Sequence, residues 1–63
     1  MYYQIRIRYY KWYDNDNTYC GRVVGKTANY YKNGEVYALY QEWILRDSDI
    51  EISENEFKKL INL

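Results

Sequence analysis

The sequence predicts an α+β chain that is mainly β. The expected form is an antiparallel meander of four or five strands, with one short C-terminal helix, about 54–62, packed on one sheet face. Three observations carry this reading. Ten Tyr and two Trp in 63 residues supply strand-forming rings. Clusters of Asn, Asp and Gly break the chain at short intervals. A compact helix-start signal stands near the end of the chain, at Ser53 to Phe57.

The elements follow in order. Tyr3, Ile5, Ile7 and Tyr9 alternate with Gln4, Arg6 and Arg8, so residues 2–13 read as a half-buried strand with its odd face toward the core. The even face is basic first and aromatic afterwards, through Tyr10 and Trp12. Asp14-Asn15-Asp16-Asn17 is a turn, because these side chains bond their own main chain and tolerate left-handed backbone. Residues 18–26 return as a second strand, with Gly21 and Gly25 marking bulges or close backbone approach. Asn33-Gly34 is the sharpest local signal: both residues of a type I′ hairpin turn need positive φ. That turn sets Lys32 opposite Glu35, Tyr31 opposite Val36 and Tyr30 opposite Tyr37.

The stretch 35–46 supports two readings. Val36, Leu39, Tyr40, Trp43 and Ile44 match helical spacing, whereas Tyr37, Leu39, Trp43 and Leu45 match a strand face. A strand is preferred, since the Asn-Gly turn fixes its start. Asp47-Ser48-Asp49 is a turn and Ile50-Glu51-Ile52 a short strand. Ser53 and Glu56 then form a capping box, each side chain aimed at the other's backbone N–H, with Ile52 and Phe57 as a hydrophobic staple. Glu54 and Glu56 sit at the positive end of the helix dipole and Lys58 and Lys59 further along. Phe57, Leu60 and Ile61 make one apolar stripe, expected to lie on the face of Ile5 and Ile7.

Composition bounds the rest. Residues 1–63 suffice for a single small domain. Leu, Ile, Val and Phe make up 14 residues and the net charge is zero, unlike a disordered chain. The mean hydropathy of −0.80 understates the core, because tyrosine rings bury well. Zero net charge hides a division. Residues 1–33 carry six Lys+Arg against two Asp, and residues 34–63 carry three against seven acids, so the halves are +4 and −4. Such a division suits either a charged partner or an acidic half folded against a basic one. Amino acids with AT-rich codons (Phe, Tyr, Met, Ile, Asn, Lys) total 29, against nine Gly, Ala, Arg and Pro, which points to a low-GC bacterium, its phage or another mobile element. No apolar run approaches the roughly 18 residues of a membrane span. Arg6 and Arg8 fall where a signal peptide needs apolar residues, so a cytoplasmic location is expected, that of the host cell if the chain is phage-encoded.

The inventory argues against an enzyme. There is no histidine for acid–base work at neutral pH, and Cys20 therefore lacks the usual activating base. One cysteine excludes an internal disulfide. Asp14 to Gly25 departs from a calcium loop, with Tyr19 where glycine belongs and Gly25 where glutamate belongs. No metal and no cofactor are expected. Two candidate binding stretches remain. Arg6, Arg8, Tyr10 and Trp12, with Arg22 from the neighbouring strand, would suit stacking of unpaired bases and contact with phosphates. The plainer alternative is that these residues cover the second sheet face, with Arg stems over rings. Asp47 and Asp49 beside Trp43 form an acidic rim, with Glu42 and Glu51, that could dock on a basic protein. The plainer alternative there is a solvated turn.

Three functions fit. The first is a small non-enzymatic protein-binding module, such as a phage or mobile-element inhibitor that occludes a host enzyme, for example a defence nuclease. The second is a single-stranded nucleic-acid binder using the Arg/Tyr/Trp face. The third is a self-assembling structural subunit. A homodimer is expected too, because so small a core without a disulfide gains from a partner.

Overall fold

A computed structural model describes residues 6–62. It contains strands β1 (Ile7–Asp14), β2 (Asn17–Val24), β3 (Thr27–Lys32), β4 (Glu35–Tyr40) and β5 (Ile50–Ile52), followed by helix α1 (Glu54–Ile61). The strands form one antiparallel sheet in the order β4-β3-β2-β1-β5. The first four make a meander. The chain then crosses one sheet face as an irregular strap, residues 41–49, and β5 pairs with β1 at the far edge. Tyr2, Tyr3, Gln4 and Ile5, assigned above to the first strand, lie outside the described residues.

Each hairpin turn rests on a residue that accepts left-handed backbone. Asn15 has φ 55°, Gly25 φ 62°, and Asn33 and Gly34 φ 51° and 89°. Gly25 is therefore a turn residue, and the second strand, expected to run to residue 26, ends at Val24. Gly21 marks close approach instead. It faces Tyr30 across the sheet, and a Cβ there would stand 2.6 Å from Tyr30 Cδ1. The Asn33 turn is tied back to β2: its side chain accepts from Thr18 N–H at 2.9 Å and donates to Asn17 Oδ1 at 3.1 Å.

The expected Asn-Gly register holds for Lys32–Glu35 and Tyr31–Val36 and then shifts. Tyr30 faces Ala38, not Tyr37, because Tyr37 is an extra residue bulged out of β4. The bulge turns the Tyr37 ring onto Tyr19, 5.5 Å away, and leaves small Ala38 opposite the buried Tyr30. The stretch 35–46 is thus strand only to Tyr40.

The odd face was expected to hold the core, but most of the core lies on the even face. Tyr10 and Trp12 join Tyr19, Val23, Ala28 and Tyr30 in one buried cluster, with Ala38 and Trp43 packed against it. Ile7, on the odd face, is 42% exposed. Alternation misleads here because both faces are covered. Arg6 and Arg8 sit at even positions near the sheet end, and Arg8 lies over Trp43 rather than standing free in water. Helix α1 does take the odd face, but it sits on Tyr9 and Tyr31 through Phe57, with ring centroids 4.8 and 5.6 Å apart. Its start is half of the expected capping box. Ser53 Oγ accepts from Glu56 N–H at 3.1 Å, while the Glu56 carboxylate reaches Lys11 at 2.8 Å instead of the Ser53 backbone.

Candidate functional site

The strap and β4 together frame the most developed surface feature. Trp43 N–H donates to the Lys26 carbonyl at 2.8 Å, which pins the strap to the β2–β3 turn. Trp43 then lies on Tyr10, ring centroids 5.1 Å apart. Three residues on, Arg46 returns to the sheet over Trp12, its guanidinium carbon 4.4 Å from the ring centroid. Asp49 fixes that position. Its carboxylate accepts from Arg46 Nη2 at 2.9 Å, from Nε at 3.3 Å and from the Arg46 backbone N–H at 3.0 Å. These bonds hold the Arg46 guanidinium above its ordinary pKa.

Between strap and sheet lies an open cleft of about 400 Å³. Its floor is a connected set of rings. Trp12 stacks on Tyr19 at 5.0 Å and meets the edge of Tyr30 at 4.8 Å. Tyr37 and Tyr40 extend the set toward the β4 edge, against Tyr19 and Tyr30 respectively. Burial pushes the Tyr30 phenol above its ordinary pKa. Asp14, Glu42 and Ile44 line the mouth.

The sequence-derived candidates are distributed over different surroundings. Arg6 is exposed, 3.8 Å from Glu51. Arg8 has its guanidinium carbon 5.2 Å from the Trp43 ring centroid. Tyr10 and Trp12 are only 4% and 9% exposed, so their rings serve the core rather than an open stacking platform. Arg22 faces Tyr9 across β1–β2 and therefore projects from the opposite face to Arg8, Tyr10 and Trp12. Trp43 is the half-buried cover of the even face. Asp49 is not a solvated rim residue: its side chain is 1% exposed and clamps Arg46, whereas Asp47 is exposed. The two charge halves meet within the fold, at Arg6–Glu51 and Lys11–Glu56.

Sequence reasoning missed Arg46, Tyr37 and Tyr40 as parts of one site. The Arg46–Asp49 spacing was the available signal for the clamp. Nothing in the alternation placed the two tyrosines beside it, since the bulge at Tyr37 breaks the period. It also missed the apolar edge. Among the described residues, six of the nine large apolar side chains that remain exposed lie between Val36 and Leu45. They straddle both faces: Val36 and Leu39 pair with Tyr31 and Asn29, Tyr40 with Ala28. No helix among the described residues is long and apolar enough to cross a membrane. No family model matches this chain, and no curated protein or solved structure shows detectable similarity to it.

Proposed function

We propose that the chain is a protein-binding module that acts by covering part of its partner's surface and performs no chemistry of its own. The observation that carries this reading is the β4 edge, which pairs with no further strand among the described residues. Val36 is 83% and Leu39 60% exposed, and Tyr37, Tyr40, Ile44 and Leu45 are more than half exposed beside them. Exposed apolar side chains gathered along one sheet edge, on both its faces, mark an interaction site, and tyrosine rings are favoured anchors there. The absence of histidine from the sequence and the burial of Cys20 agree with a role in binding. An inhibitor from a phage or mobile element, occluding a host enzyme such as a defence nuclease, suits the size and the bias toward amino acids with AT-rich codons. The nucleic-acid alternative is weaker, because the rings it needs, Tyr10 and Trp12, are already packed against Trp43 and Tyr19.

The test compares the wild type with Val36→Asp/Leu39→Asp as bait in lysate of a low-GC bacterium. Captured protein is then purified and titrated against both. A stoichiometric complex with the wild type, weakened at least tenfold by the double substitution, is the expected result. Binding unaffected by the substitutions, or no protein partner at all, overturns the reading. In the latter case, mass growing with concentration in light scattering would leave self-assembly, and salt-sensitive oligonucleotide binding would leave nucleic acid.

A further inference from the structure

The ring-lined cleft already shows which chemistry it accepts. Three of the chain's own cations lie over this aromatic surface: Arg46 on Trp12 at 4.4 Å, Arg8 on Trp43 at 5.2 Å and Lys32 on Tyr19 at 5.9 Å. Tyr37 and Tyr40 are about half exposed, and among the described residues no cation lies over either ring. The charge at the mouth points the same way. Arg46 is neutralised by Asp49. Asp14 and Glu42 line the cleft and have no ion-pair partner among the described residues. The opening therefore presents Asp14 and Glu42 beside two rings over which no cation lies, with Arg8 and Lys32 over neighbouring rings. An ammonium or guanidinium laid on Tyr37 or Tyr40 would gain from the ring face and from these carboxylates.

We propose that this cleft receives one cationic side chain, a lysine or arginine presented by a protein partner. The inference rests on the protein-binding reading above and adds the chemistry of the contact. The rings of Tyr37 and Tyr40 would flank the cation, and Asp14 and Glu42 would balance its charge. Arg46 supplies the pattern for the second cation: a guanidinium laid on a ring and held by a carboxylate.

Both tryptophans of the chain, Trp12 and Trp43, line the cleft, so intrinsic emission reports on it directly. Choline chloride is the probe and 3,3-dimethylbutan-1-ol its uncharged isostere, at constant ionic strength. The expected result is a saturable emission change with choline and none with the alcohol. Tyr40→Ala and Glu42→Gln should each weaken it by about three- to fivefold, the scale of one exposed cation–π or surface charge contact. Glu42→Gln touches no core residue and keeps the test valid if Tyr40→Ala loosens the fold. No saturable change, an equal response to the alcohol, or an unchanged response in Glu42→Gln overturns the proposal. Partner binding separates the two readings. A partner held equally by wild type and Tyr40→Ala removes the cation site and leaves the protein-binding module standing. A choline response without any protein partner overturns the protein-binding reading, and with it the claim that a partner's side chain fills the cleft.

Discussion

On the odd face of the sheet the cover is an eight-residue helix seated by Phe57; on the even face it is the irregular strap 41–49, seated by Trp43 and Arg46. The helix satisfies its own backbone and needs from the sheet only a place for its apolar stripe. The strap has no such internal ladder. It is held to the sheet by one backbone bond to Lys26, by Trp43 on Tyr10 and by Arg46 over Trp12, while the Arg46–Asp49 clamp fixes its own shape. One cover thus depends on dispersion and burial, the other on a single half-buried ring, Trp43, together with a few polar bonds and cation–π contacts. The second is the one left beside an open cleft, and polar fixation is what lets a segment stay ordered without filling the space beneath it.

The comparison breaks most sharply at Phe57. The ring is buried between Tyr9 and Tyr31, and Phe57→Ala removes it from the centre of the helix contact. The expected loss is about 3 kcal/mol. A domain of this length has a total stability of only about 3–9 kcal/mol. Urea unfolding should therefore show a midpoint at least a third lower. A loss below about 1 kcal/mol would mean that the helix is an ornament on the sheet and that the even face alone holds the fold.

Arg46→Ala addresses the other cover. It strips a cation from Trp12 and strands the Asp49 carboxylate, which is almost fully buried. Removing one partner of a buried pair costs several kcal/mol; the half-exposed guanidinium reduces that to about 2 kcal/mol. Tryptophan emission should move to longer wavelength as the strap loosens, while the helical dichroism of the native state stays. The two substitutions act on opposite faces, so their effects should add within about 0.5 kcal/mol. A strong departure from additivity would show that the covers are coupled through the sheet.

The same difference decides what the sequence could reveal. The helix was legible because its signals are local: Ser53 before Glu56, acids first, Phe57 in register with Leu60 and Ile61. The Asn33-Gly34 hairpin was legible for the same reason. The strap was not, since its shape follows from Trp43 finding Tyr10 and Arg46 finding Asp49, contacts that no period encodes. Which face of β1 turns inward was also hidden, because period-two alternation distinguishes inside from outside only when one face meets water. The aromatic cleft inherits both obscurities. Tyr37 enters it through a bulge, and Trp12, read as a surface ring, forms its floor.

The smallest effect concerns how dry the helix-covered face is. Cys20 lies between Lys11 and Tyr31 on neighbouring strands, and burial pushes its thiol up to about 11 from an ordinary value of 9.0. The neutral thiol is therefore favoured by folding. Below pH 9 both states keep the proton and stability does not depend on this group. Between pH 9 and 11 the unfolded chain loses it first, so the unfolded state binds fewer protons and stability falls as pH rises. The expected contribution is about 1 kcal/mol at pH 10. The tyrosines titrate nearby, so the readout is the difference between wild type and Cys20→Ala in urea unfolding at pH 8, 9 and 10. The wild-type curve should descend more steeply over the last unit, and the folded thiol should resist alkylation at pH 8. Parallel curves would mean that water reaches Cys20, and that α1 seals its face no better than the strap seals the other.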